Sequence, residues 1–120
     1  MRRAFAHDAV LAMGLEGDTR APGGAVTTAL CGRLEHEPPC PLAAHHTRTE
    51  RVGDELRVHI LFATEPDREA EVRALIDAAL AAGSFAAPDR ATARWSLTTS
   101  GPGEIAPNET VHAARLTDGD

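Results

Sequence analysis

The sequence predicts an α+β fold: a small, mainly antiparallel sheet in the order β-β-α-β-α, with helices packed on one face. Three patterns carry that prediction. Over 55–64, Leu56, Val58, Ile60 and Phe62 alternate with Glu55, Arg57, His59 and Leu61, the period-two signature of a strand buried on one face and wetter on the other. Over 66–83, Val72, Leu75, Ile76, Ala79 and Leu80 recur at three- and four-residue spacing and form one helical stripe. Over 92–99, Ala93, Trp95 and Leu97 alternate with Arg94, Ser96 and Thr98, which predicts another strand with Trp95 in the core.

The helix over 66–83 has the clearest bounds. Pro66 suits a first turn, where a backbone amide has no helical partner to lose. Asp67, Glu69 and Glu71 set negative charge against the positive end of the helix dipole, and Gly83 supplies the left-handed residue that ends many helices. A last helix is expected from Asn108 to Leu116, capped by Asn108, with Val111 and Ala114 on its inner face. Upstream, Val26, Thr28, Leu30 and Leu34 share one side of an expected first strand, Ala25–Glu35, and Cys31 points the other way. Residues 1–24 read as a flexible extension holding a short alanine-rich helix, Ala4–Met13, broken off by Gly14, Gly17, Pro22, Gly23 and Gly24. The expected domain is therefore 25–116, with 117–120 as a disordered tail. A body of about ninety residues buries roughly 60–65% of its unfolded surface, so the core is small. With four aromatic residues (Phe5, Phe62, Phe85, Trp95) it must be mostly aliphatic.

Composition excludes several classes of function. Twelve basic and eighteen acidic residues give a formal charge of −6, and the positive charges are dispersed. Phosphate backbones need a clustered basic face, so no nucleic-acid partner is expected. No apolar run approaches the ~18 residues of a membrane span, and the Met1-Arg2-Arg3 start leads into a stretch broken by His7 and Asp8, which argues against export. Two cysteines and no export signal point to the reducing cytoplasm, where cysteines near histidines more often mean metal or redox chemistry than a structural disulfide.

The stretch that carries chemistry is Cys31-x4-His36-x3-Cys40-x4-His45-His46, in an expected long connection, His36–Asp54. Structureless connections beyond ~12–15 residues tend to be functional or disordered. Pro38, Pro39 and Pro41 fix φ around Cys40 and lower the entropy of ordering it. Two thiolates and two imidazoles make a tetrahedral set suited to zinc, with copper or nickel as weaker alternatives. Antiparallel pairing of the two expected strands, with residue numbers summing to about 90, would set Cys31 opposite His59 and add His59 as a ligand or an outer donor. The expected metal ligands are Cys31, His36, Cys40, His45, His46 and His59. A closed shell would make the metal structural or sensory. An open position would make a hydrolytic enzyme with Glu35 or Glu37 as base. The competing reading has no metal: Cys31 and Cys40 oxidise reversibly beside histidines, or the sheet docks a protein partner, a second copy of the chain included. Ser100-Gly101-Pro102-Gly103-Glu104 reads as a turn, because Pro102 lacks an amide and no lysine follows.

Overall fold

The structure, a computed structural model, describes residues 1–31, 43–87 and 90–118. Its elements are β1 (Arg3–Ala12), α1 (Ala21–Cys31), β2 (Ala44–Val52), β3 (Glu55–Thr64), α2 (Glu69–Ala81), β4 (Ser84–Phe85), β5 (Ala93–Arg94), β6 (Ser96–Gly103) and α3 (Thr110–Thr117). One-turn 3-10 segments at Pro66–Arg68 and Pro107–Glu109 lead into α2 and α3. The main sheet runs β2-β3-β1-β6 with every neighbouring pair antiparallel. Leaving aside the short β4–β5 pair and α3, this is the split β-α-β-β-α-β arrangement known as ferredoxin-like, a shape that hosts many activities and implies none.

The α+β class and its antiparallel sheet are as the sequence predicts, and β3, α2 and the buried Trp95 fall where expected. The first third of the chain differs. Arg3–Ala12, expected as a helix in a flexible extension, is a central strand paired with β3 on one side and β6 on the other. Its alanines favour a helix, but Phe5, His7, Ala9 and Leu11 alternate with Ala6, Asp8 and Val10, and pairing on both edges overrides propensity. Ala25–Glu35, expected as a strand, is in its described part the end of a helix. Ala21, Pro22, Ala25, Val26 and Leu30 fall at helical spacing and bury against the core despite the β-branched residues between them. Gly24 lets this helix close on the β4 segment: a Cβ there would lie 2.8 Å from the Phe85 ring. Ala44–Val52, expected as part of a structureless connection, is an edge strand joined to β3 by the two-residue turn Gly53-Asp54, with Gly53 at φ 62°.

Helices α1 and α2 cover one sheet face. Val26 and Leu30 from α1, and Val72, Ile76 and Leu80 from α2, pack on Leu11, Leu56, Val58, Ile60 and Phe62. The Trp95 indole N–H donates to the Leu80 carbonyl at 2.8 Å, tying the end of α2 to the segment before β6. The opposite face carries a smaller cluster, Ala6, Ala44, Leu61 and Ala63, under Leu116 of α3. The buried positions of α3 are Ala113 and Leu116, while Val111 is 67% exposed. The inner face therefore differs from the expected Val111–Ala114 pairing, because Leu116 sets the rotation of the helix over Leu61. Asn108 makes no side-chain cap; the Ala106 amide donates to Glu109 Oε1 at 2.9 Å instead. Among the described residues no helix is long and apolar enough to cross a membrane.

A central strand and a dispensable extension make opposite predictions. Deleting residues 1–12 is expected to abolish cooperative unfolding in a urea titration followed by circular dichroism, because β3 and β6 lose their common neighbour. A transition unchanged from that of the full chain would contradict the assignment.

Candidate functional site

Strand alternation decides where each imidazole goes. His45 pairs with Phe62 and shares its helix-covered face, whereas His46 pairs with Leu61 and His59 pairs with Arg48 and Asp8, both on the α3 side. On the helix-covered face Cys31 closes the last turn of α1 half-buried against the core. Its sulfur lies 3.9 Å from His45 Nδ1, and Cys31 is disulfide-bonded. Cys40 is the only other cysteine in the sequence and, with His36, lies outside the described residues. His45 Nδ1 is 3.1 Å from the Ala43 carbonyl and its Nε2 is 2.9 Å from Thr27 Oγ1. A carbonyl only accepts, so Nδ1 carries the proton and Nε2 accepts from the threonine hydroxyl.

Of the six expected metal ligands the structure thus brings together Cys31 and His45. It sends His46 and His59 to the opposite face. The expected Cys31–His59 pairing is absent because Cys31 sits in a helix and has no strand register. Among the described residues no group of three or more His, Cys, Asp or Glu side chains could hold a metal ion.

The α3 face holds a charged chain. His59 Nδ1 meets Asp8 Oδ1 at 2.5 Å, and Nε2 meets Glu109 Oε1 at 2.9 Å. Carboxylates only accept, so the two contacts are both hydrogen bonds when the ring is an imidazolium. Glu109 is 7% exposed, and its other oxygen lies 3.7 Å from Arg48. Burial by itself pushes the Glu109 carboxyl up, but the Ala106 amide, His59 and Arg48 together hold it below the ordinary carboxylate value. Beside this chain the His46 and His112 rings meet tilted at 53°, 4.5 Å between centroids. Burial first, then His112 and Arg48, push His46 below the ordinary imidazole value, and Glu109 pulls the other way.

A third polar cluster escaped the sequence reading, which took residues 1–24 for an extension. His7, 1% exposed, lies under α2. Arg73 donates to the Ala6 carbonyl at 2.8 Å and to His7 Nδ1 at 3.0 Å, with its guanidinium over the Phe5 and Phe62 rings. His7 Nε2 faces Asp77 Oδ1 at 3.0 Å and Ser100 Oγ at 2.9 Å, and Ser100 donates to Asp77. The residue types are those of a serine triad, but the roles are not. In a triad the imidazole lone pair points at the serine; here Arg73 occupies it, and serine and aspartate share the other nitrogen. Ser100 has no imidazole lone pair to accept its proton, and the cluster ties β1, β6 and α2 together. The sequence signal for it was present in Phe5-x-His7-x-Ala9-x-Leu11 read at period two.

No family model, curated protein or solved structure matches the chain.

The Glu109 carboxylate yields a signed prediction. Its folded value is depressed, so its contribution is present above the ordinary value of 4.5 and is lost as pH falls through the folded value. Glu109→Gln is expected to unfold at lower urea near pH 7, by about 1.5–3 kcal/mol for a charge-assisted hydrogen bond. As the pH falls through the depressed folded value and the native carboxyl is protonated as well, the gap is expected to close. A constant gap across that range would show that the charge of Glu109 is not what matters.

Proposed function

We propose that the chain is a small thiol–disulfide switch domain in which Cys31 and Cys40 oxidise and reduce reversibly, opening and closing a covalent loop at the end of α1. The observation that carries this reading is the disulfide-bonded Cys31 in the last helical turn, with His45 Nδ1 3.9 Å from its sulfur. In the reduced form the Nδ1–H of His45 can donate to the Cys31 sulfur and stabilise the thiolate, the form that attacks a disulfide. The Thr27 hydroxyl, donating to His45 Nε2, and the Ala43 carbonyl, accepting from Nδ1, hold the ring in that tautomer. Reduction takes two electrons and two protons from an external dithiol, whose own sulfurs leave as a disulfide. In the cytoplasm, the compartment this reading assumes, cysteine pairs of this kind are transient and redox-sensing.

A zinc centre, with copper or nickel behind it, is the rival reading of the same sulfurs. It requires Cys31 reduced and His45 Nδ1 freed from the Ala43 carbonyl.

Purified without a chelating tag, the oxidised protein is expected to show no reactive thiol, and two after treatment with a dithiol. Its midpoint potential is expected between about −180 and −270 mV, within reach of cellular thiol systems. Reduction opens a loop of about ten residues and is expected to cost about 2–3 kcal/mol of stability. A potential below about −300 mV would mark a permanent structural disulfide. Tight uptake of one zinc per reduced chain, lost in Cys31→Ser, would replace the switch with the metal centre.

A further inference from the structure

We propose that the chain pairs with a second copy of itself along the outer edge of β2, antiparallel and centred on Thr49, joining two sheets into one. The pairing does not depend on the thiol chemistry.

The two edges of the sheet are built differently. β6 forms one of them and carries features that discourage further pairing. It holds an extra residue against β1 between Leu97 and Thr99, and Pro102 has no amide to offer a neighbour. β2 forms the other edge with nine residues, Ala44–Val52, in one unbroken register against β3 and with no proline or glycine among them. Among the described residues it pairs with β3 alone. The pleat that separates His45 from His46 also decides which backbone groups β3 leaves unused. Val52 and Glu55 close a two-residue hairpin and bond to each other. The even positions of β2 therefore turn their amides and carbonyls toward β3, and Thr47, Thr49 and Arg51 turn theirs outward.

Charge selects the partner and the register. A two-fold copy must match these odd positions to one another, so the axis passes through a residue and never between two. Centred on Arg48, the register sets that guanidinium against its own copy. Centred on Glu50, it sets the carboxylate against its own copy. Centred on Thr47, it faces Arg48 with His46 and Glu50 with Ala44, and no opposite charges meet. Centred on Thr49, it faces Arg48 with Glu50 of the second copy, and Glu50 with its Arg48, so the attraction occurs twice. Thr49 then lies opposite itself, Thr47 opposite Arg51, and the exposed Val52 opposite His46. Both charged side chains are more than half exposed, and their contacts within the chain are loose: 3.7 Å from Arg48 to Glu109 and 3.8 Å from Arg57 to Glu50. A foreign strand would have to reproduce this order of charges, whereas β2 supplies it to itself.

Sedimentation of the full chain across a concentration series, with a non-reducing gel to exclude intermolecular disulfides, tests the pairing. Half of the chains are expected to be paired at or below about 100 μM. Glu50→Arg turns both facing pairs from attraction to repulsion and is expected to weaken association about tenfold. Arg48→Glu is expected to do the same. Mixed in equal amounts, the two variants again set opposite charges face to face, and they are expected to pair with each other as the original chain does with itself. Native circular dichroism shows that each variant is folded; if Arg48→Glu, which lies beside Glu109, fails that check, Glu50→Arg alone decides. A chain still mostly monomeric at about 100 μM, undiminished association of Glu50→Arg, or a mixture of the two folded variants that stays monomeric would overturn the proposal.

Discussion

Pairing of β1 on both edges is the constraint from which the rest of the architecture follows. With β3 paired along Arg3–Ala12 and β6 along Ala6–Ala12, alternate residues of the strand are committed to opposite faces of the sheet. The pleat then divides neighbours: His7 goes beneath α2 and Asp8 goes to the α3 side, with no intermediate choice. The same division in β2 separates His45 from His46. A strand buried on one face only would leave half of these groups in water, and the polar clusters would not form.

Three chemically different environments result within one small body. Beneath α2, Arg73, His7, Asp77 and Ser100 satisfy one another completely enough to exclude a nucleophile. At the end of α1, sulfur and imidazole lie together beside the threonine that fixes the ring. On the α3 side an imidazole bridges two carboxylates, and two further rings face each other. A buried polar group costs free energy unless it is paired, so the first cluster reads as structural. The second and third hold a disulfide-bonded cysteine and a tilted pair of imidazole rings, and both sit near the end of an element.

Much of this was legible in the sequence. Leu56–Phe62 and Val72–Leu80 announced β3 and α2 because both the period and the end signals agreed. The first third was misread for a physical reason. Alanine at positions 4, 6, 9 and 12 suits a helix, and Thr27-Thr28 with Val26 suits a strand, yet tertiary pairing reversed both propensities. Gly23 and Gly24 looked like breakers, whereas Gly24 makes room for Phe85 against α1. The approach of Cys31 to His45 could be read from their spacing. Their separation from His46 and His59 could not, because it depends on a strand, Ala44–Val52, whose polar alternation resembles a loop. Glu109 was invisible as well, since nothing in its neighbourhood marks a carboxylate that reaches back to β3.

The division of the histidines between the two faces is the claim on which both functional readings rest, and nuclear Overhauser contacts from the ring protons test it directly. The His45 ring is expected to show contacts to the Thr27 methyl group, and the His46 ring to the His112 ring, with no cross-peak linking His46 to Thr27. Contacts from His46 to Thr27, or from His59 to Cys31, would place these groups on a common face and contradict the account.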